Sequence, residues 1–297
     1  MSNITPLDKR PRSGPYAGLN VNSAKRFLTK QFKQAGLETA DIDARLLVMK
    51  ATGYNRAELV LNGTEFLSQE AFSQISNFAA RRLSGEPVDH ILGVRGFYGR
   101  DFKVSKDVLS PRPDTELLID KALPFLKPLS APKILDLGTG SGAIILTLLA
   151  ECETAIGEAA DISETALKIA QDNTKRLGLG GRLSLIKSNW FTNVNGPYDV
   201  IISNPPYIDA HAMEKLSPEV KHYDPEIALF GGEDGLAPYR IIAEQAPLFL
   251  APHGLLILEI GFDQGRRVSE ILRIIGWQNI SVFKDLNGQD RCITASL

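Results

Sequence analysis

The sequence predicts an α/β protein. A seven-stranded, mainly parallel sheet with helices on both faces spans residues 117–297, a small helical bundle occupies 21–90, and a β-hairpin at 91–116 links them. Three observations carry this. From Lys133 onward, short apolar strands alternate with helical stretches, an alternation that lays helices on the faces of a parallel sheet. Before residue 90, apolar residues recur at helical spacing. Between the two, aromatic and β-branched residues flank Gly99, as in a hairpin.

The elements follow in order. Residues 1–20 hold three prolines and two glycines without apolar periodicity, and read as a flexible arm. Ser23 is placed to cap a first helix that sets Ala24, Phe27, Leu28 and Phe32 on one face. Thr39 then opens a helix carrying Ile42, Leu46 and Leu47, which Gly53 ends. A short helix fits 56–61, and a fourth runs over 68–83 with Phe72, Ile75, Phe78 and Ala79 at helical spacing. Four short amphipathic helices suffice for a small bundle. Phe97, Tyr98, Phe102 and Val104 around Gly99-Arg100-Asp101 form the hairpin, and Pro111 and Pro113 stiffen the run into a helix capped near Asp114 or Thr115. The seven strands fall at 133–137, 155–161, 182–187, 198–203, 255–260, 280–283 and 291–295. Helices fit near 141–151, 163–177, 236–250 and 264–275.

Composition removes several classes of function. Hydrophobic residues make up 43% and charged residues 23%, which excludes a disordered or low-complexity chain. Thirty-three Lys+Arg against 35 Asp+Glu leave a net charge of −2, unlike a protein built to coat nucleic acid, so direct nucleic-acid binding is not expected. Cys152 and Cys292 lie far apart, which argues against a disulfide framework or a zinc cluster, and no metal site is expected. The N-terminal residues lack the apolar core of a signal peptide, and no run of 18 apolar residues exists to span a membrane. The expectation is a cytoplasmic, monomeric protein. Residues 1–90 carry a net +3 and the remainder −5. That difference reads either as ordinary surface variation or as a docking face for a large partner.

In open parallel sheets, ligands sit beyond the carboxyl ends of the strands. The first such end reads Asp136-Leu137-Gly138-Thr139-Gly140-Ser141-Gly142. Its glycines let the backbone turn sharply and approach a ligand, and Asp136 is placed to reach an ammonium or hydroxyl group. Gly138, Gly140 and Ala143 also satisfy a loose dinucleotide fingerprint, so the turn alone does not choose a cofactor. Asp161, 25 residues on, suits the two hydroxyls of an adenosine ribose, or a helix cap. Asn189 suits an adenine edge and Trp190 the adenine ring, although core packing is an equally open role for the tryptophan.

The fourth strand end, Asn204-Pro205-Pro206-Tyr207, is the most specific. It suits a planar nitrogen whose lone pair is delocalised and which is therefore a poor nucleophile. The Asn204 side-chain oxygen and the Pro205 carbonyl can take its two N–H groups and aim its face at an electrophilic methyl group. Pro205 and Pro206 lack N–H groups and have fixed φ, which holds the acceptors rigidly. Tyr207 supplies a flat wall. Hydrogen bonds that strengthen as positive charge develops on nitrogen favour the transition state. His90, His211, His222 and His253 are scattered and adjoin no nucleophile. The segment from Tyr207 to Gly235 shows no strong period and reads as a long loop, a candidate for substrate gating.

Taken in order, the glycine turn, Asp161, Ser188-Asn189-Trp190 and Asn204-Pro205-Pro206-Tyr207 resemble a class I S-adenosylmethionine-dependent methyltransferase that methylates nitrogen. Adding GEPVDHILG (85–93), the hairpin and SPRPDTE (110–116), nearly the whole chain from about residue 20 is similar to the bacterial release-factor glutamine methyltransferases, the PrmC or HemK family. Pro111-Arg112-Pro113 separates it from ribosomal-protein glutamine methyltransferases, which typically have PRS there. The resemblance implies a Rossmann-like fold and S-adenosyl-L-methionine as cofactor, leaving as S-adenosyl-L-homocysteine. It implies that Asp136 and Gly138 to Gly142, with Thr139, Gly140 and Ser141, hold the methionine part, Asp161 the ribose, and Asn189 with Trp190 the adenine. Asn204, which also borders the cofactor, would act with Pro205, Pro206 and Tyr207 on a glutamine in the Gly-Gly-Gln loop of class I peptide chain release factors. The bundle would position that factor while its loop enters a cleft between the domains. Two positions depart from the pattern. Asn189 replaces a common Asp, leaving the adenine contact less defined, and Ser110 replaces a common Ile. The alternatives are glutamine methylation of a ribosomal protein, methylation of an adenine or guanine amino group, an NAD-dependent dehydrogenase and a scaffold without activity. The dehydrogenase leaves Asn204 to Tyr207 unexplained.

Overall fold

The computed structural model describes residues 18–297, so most of the arm expected at 1–20 lies outside the described residues. The chain divides into two compact units, one ending at Leu92 and one from Gly93 to Leu297.

Within the described residues the first unit is all helical: α1 (Val21–Gln34), α2 (Ala40–Thr52), α3 (Arg56–Leu61), α4 (Gln69–Leu83) and α5 (Val88–Leu92). The last falls inside GEPVDHILG, where periodicity over so short a stretch gives no signal. Asn20, not Ser23, caps α1; its side-chain oxygen accepts from the Ser23 N–H. The buried stripe of α1 is Val21, Ala24, Leu28 and Phe32, with Phe27 turned outward. In α2 the inward face is Ala40, Asp43, Ala44, Leu47 and Val48, while Ile42 is exposed. A charged residue therefore sits where an apolar one was expected. Asp43 is answered by Arg82 of α4, Nε to Oδ2 2.7 Å, with the two side chains only 2% and 4% exposed. Thr39 donates its hydroxyl to the same carboxylate instead of capping the helix.

The second unit opens with the hairpin β1 (Val94–Phe97) and β2 (Arg100–Lys103), and its turn is Tyr98-Gly99, both at positive φ. Tyr98 holds this left-handed conformation with its N–H on Glu116 and its hydroxyl on Asp120. After a 3₁₀ turn at Pro113–Thr115 comes α6 (Glu116–Leu126), whose start Thr115 does not cap. The sheet follows: β3 (Lys133–Leu137), α7 (Ala143–Glu151), β4 (Ile156–Asp161), α8 (Glu164–Arg176), β5 (Leu183–Lys187) and β6 (Tyr198–Ser203). The segment read as a long loop forms two short helices, α9 (Ala210–Glu214) and α10 (Pro218–Tyr223), neither with a buried residue. Then come α11 (Ala237–Gln245), β7 (Leu250–Glu259), α12 (Gly265–Ile275), β8 (Gln278–Lys284) and β9 (Asp290–Ser296).

Strand order is β5-β4-β3-β6-β7-β9-β8, with only β9 antiparallel to its neighbours. Neighbouring positions on a strand bury on opposite faces. Ile134, Ile202 and Ile257 join the core with Leu118, Leu146 and Leu149 of α6 and α7. Leu135, Ile201 and Leu258 join the core with Tyr239, Ile242 and Leu272 of α11 and α12. Burial on both faces accounts for the unbroken apolar runs of these strands. The chain order reverses between β3 and β6, the switch point at which a crevice opens.

Candidate active site

Both strands flanking that switch point end in the predicted motifs. Beyond them lies a cavity of about 340 Å³, whose wall includes Gly138, Thr139, Gly140 and Ser141 after β3 and Asp161 at the end of β4. Asn189 and Trp190 after β5, and Asn204 and Pro206 after β6, complete this set. Asp136, Gly142, Pro205 and Tyr207 lie outside the wall.

The glycine turn is held from within. Gly138 and Thr139 donate their N–H groups to the Ala160 carbonyl, and Gly140 donates to Asp161 Oδ2 at 2.9 Å. Gly138 and Gly140 stand at φ +69° and +56°, with no atom within 4 Å of where a Cβ would stand. Backbone is thus laid bare along the wall, as close approach of a ligand requires.

Asp161 has a double role. Its Oδ1 accepts from the Ser163 N–H at 2.8 Å, so one carboxylate ties together the turns after β3 and β4. With Ile162 also donating to it, the carboxylate still keeps acceptor capacity for a ligand hydroxyl. The cap of α8 is Ser163, not Asp161. Burial raises the Asp161 pKa, against the pull of those backbone donors.

Asp136 corrects the reading of the first strand end. It is fully buried, with Oδ2 accepting from the Thr139 hydroxyl at 2.6 Å and Oδ1 without a partner. Desolvation pushes its pKa up to about 7, with the nearby Asp161 adding to the rise. It braces the turn from beneath instead of facing the cavity.

Trp190 adopts φ +51°, fixed by the Ser188 hydroxyl donating to its carbonyl at 2.7 Å. Its ring packs partly on the core, so the packing role and a place in the cavity wall hold together. Asn189 is exposed.

Asn204 leaves β6 half-buried, with Pro205 buried behind it. Its Nδ2 donates to Thr115 Oγ1 at 3.3 Å, and Thr115 donates to Glu259 Oε2 at 2.6 Å. The Tyr207 hydroxyl reaches the other Glu259 oxygen at 3.5 Å. Burial, then Glu259 beside it, raises the Tyr207 phenol well above its usual range. Gln264 fixes the end of the motif, donating from Nε2 to the Tyr207 carbonyl at 2.9 Å and to Gly235 at 3.2 Å. A Cβ on Gly235, at φ +71°, would stand 2.5 Å from the Tyr207 carbonyl oxygen, so only glycine fits this approach.

Glu259 and Gln264 were not singled out in the sequence, and Thr115 only as a helix cap and as part of SPRPDTE. A signal existed for Glu259, an acid closing an apolar strand as Asp161 does. Arg112, in the cavity wall, pairs with Asp224 at 2.8 Å and so links SPRPDTE to the segment after Tyr207. That segment adds apolar Ile227 and Phe230 to the wall. Among the described residues, no group of three or more His, Cys, Asp or Glu could hold a metal ion, and no helix is long and apolar enough to cross a membrane.

The sheet order, the open glycine turn and the Asn-Pro-Pro-Tyr strand end define a class I methyltransferase, a fold that uses S-adenosylmethionine. In agreement, a family described as PrmC N-terminal domain matches residues 23–93, and one described as methyltransferase small domain matches 113–220. A release factor glutamine methyltransferase of Agrobacterium fabrum is 46% identical over 89% of this chain and 93% of its own length. One from Cereibacter sphaeroides is 44% identical over 94% and 99%. The chain belongs to the release factor glutamine methyltransferase family. At the level of fold alone, the hMettl16 catalytic domain, solved in complex with the MAT2A 3′UTR hairpin 6, aligns with TM-score 0.55 at 17% identity, covering 70% of this chain and 88% of that one.

Proposed function

We propose that this protein transfers a methyl group from S-adenosyl-L-methionine to the side-chain amide nitrogen (N5) of the glutamine in the Gly-Gly-Gln loop of class I peptide chain release factors. The observation that carries this is the placing of Asn204 and Pro206 in the wall of the same cavity as the glycine turn and Asp161. The family of the chain supports the choice of substrate.

Bound there, the cofactor supplies a methyl group on a positively charged sulfur and leaves as S-adenosyl-L-homocysteine. Gly138 to Ser141 offer backbone to its methionine part, Asp161 accepts from its ribose, and Asn189 with Trp190 borders its adenine. The cavity fits such a group: it has bared backbone, a carboxylate with acceptor capacity, and the buried Ser110 hydroxyl in its wall without a partner. Asn204 Oδ1 and the Pro205 carbonyl accept the two N–H groups of the substrate amide. They stabilise the positive charge that grows on its nitrogen as the N–C bond forms. The nitrogen then sheds one proton to water. Tyr207 flanks the amide plane. Residues 1–90, net +3 with the arm included, supply a docking surface for the factor, so KM for the factor should rise with salt while cofactor affinity holds.

Mass spectrometry of a class I release factor incubated with the protein and cofactor tests the reaction. One added methyl on the Gly-Gly-Gln glutamine is expected. An unmodified factor, with methyl instead on a ribosomal protein or nucleic acid, would overturn the assignment. Asp161→Ala should weaken cofactor binding by about 1.5–3 kcal/mol, roughly 10- to 100-fold, the range for a hydrogen bond to a charged group. Calorimetry reads this directly, and an unchanged Kd would place the ribose elsewhere.

A further inference from the structure

The amide of Asn204 has an oxygen side and an NH₂ side, and only one orientation works. Its oxygen must face the substrate N–H groups. Flipped, it would set donors against donors. Whatever fixes that orientation acts on the reaction through Asn204, even where, like Thr115, it also borders the cavity.

We propose that Thr115 and Glu259 are positioning residues that lock the Asn204 amide with its oxygen toward the substrate. The geometry is a directed chain. Glu259 is 2% exposed at the end of β7, and its ionised carboxylate can only accept. The single hydroxyl proton of Thr115 is committed to it at 2.6 Å. Thr115 then offers only lone pairs to Asn204, 3.3 Å away, and only the NH₂ side can settle against lone pairs. The oxygen is left pointing away from Thr115. Three residues far apart in sequence thus convert a buried negative charge into the orientation of a neutral amide.

The chain reverses if Glu259 gains a proton. The acid can donate to Thr115 Oγ1, whose own hydrogen then turns to Asn204 and selects the oxygen side. Burial pushes the Glu259 pKa up to about 7, opposed by the Thr115 hydrogen bond and by Arg291 and assisted by Asp114. The groups facing Glu259 are Thr115 and Asp114 ahead of α6, the Tyr207 hydroxyl after β6, Arg291 and the Cys292 thiol of β9, and the Tyr239 hydroxyl of α11 on its backbone carbonyl. A folded-state pKa above the ordinary carboxyl range means that protonation sets in as pH falls through about 7. Turnover should decline on that acid side.

The inference rests on the proposed amide methylation, and the test separates the two. Turnover of a class I release factor and cofactor Kd are measured across pH 6–9 for the wild type, Thr115→Val, Thr115→Ser and Glu259→Gln. Thr115→Val keeps shape but removes the hydroxyl, and kcat should fall on the order of 10²-fold, the cost of a misplaced reacting group, with Kd unchanged. Thr115→Ser should restore most of it. Glu259→Gln should abolish the acid decline of kcat at saturating cofactor whatever its plateau, while Asp136, beneath the glycine turn with its pKa also raised to about 7, acts through cofactor Kd. Thr115→Val turnover within twofold of wild type, equal losses of kcat and cofactor affinity, or an acid decline of kcat at saturating cofactor persisting in Glu259→Gln would each overturn the inference. A wild-type protein inactive on release factor would instead overturn the substrate reading and the inference with it.

Discussion

Asn204→Ala is expected to lower kcat by about 10²- to 10³-fold, the loss measured when one preorganised group stabilising transition-state charge is removed. Under the proposed reaction the substitution leaves the substrate amide with one acceptor, the Pro205 carbonyl, in place of two. It also removes the donor that Thr115 accepts from at 3.3 Å. Cofactor affinity should change little, because the hydrogen bonds that hold the glycine turn and Asp161 in place do not run through this side chain. Single-turnover kinetics with a saturating release factor reads the chemical step, and calorimetry reads the cofactor. Equal losses in both would undo the role assigned to Asn204.

Asp43→Ala is expected to destabilise the helical unit by about 3–5 kcal/mol, the cost of removing one member of a buried ion pair. Arg82 would keep its charge in a site where its side chain is 4% exposed, without the carboxylate 2.7 Å from its Nε. For a unit of this size, a Tm loss of at least about 10 °C follows. The double variant Asp43→Leu/Arg82→Met should regain much of the loss, because a buried pair exchanged for apolar packing is often neutral or better. Thermal unfolding followed by calorimetry distinguishes the cases. A single variant within about 1 kcal/mol of wild type would mean that the remaining contacts of Arg82, among them its hydrogen bond to the Glu86 carbonyl, hold the charge without Asp43.

These two sites also mark how far the sequence could be read. The place of Asn204 in the cavity wall was legible because its signal is local: a strand, two prolines and an aromatic in succession leave few other uses. The Asp43–Arg82 pair was not, since its members lie 39 positions apart and Asp43 interrupts the apolar stripe by which α2 was recognised. The same division runs through the sheet. Its strands were placed by continuous apolar runs and turn residues, yet β7 extends from Leu250, five residues before the apolar run that signals it. Asp136 shows the limit most clearly. Its position at a strand end is sequence information, but whether the carboxyl faces ligand or core depends on packing across the sheet. Thr115 and Glu259 meet across 144 positions, and no local pattern announces a pair at that separation.

The grip of Gln264 on the Tyr207 and Gly235 carbonyls has an evolutionary consequence. One amide clasps both ends of an excursion whose later part, with Ile227 and Phe230, lines the cavity, while its two helices α9 and α10 bury nothing, so the helical part is the exchangeable cassette beside the reaction centre. Lengthening such a loop costs little, only about 0.6 kcal/mol per doubling. We expect a Gly-Ser insertion between Glu214 and Pro218 to leave Tm and cofactor Kd near wild type while raising KM for the protein substrate. A loss of cofactor binding would show that cassette and centre are one piece. If they are separable, related enzymes can change the proteins they recognise by rewriting α9 and α10 without redesigning the chemistry.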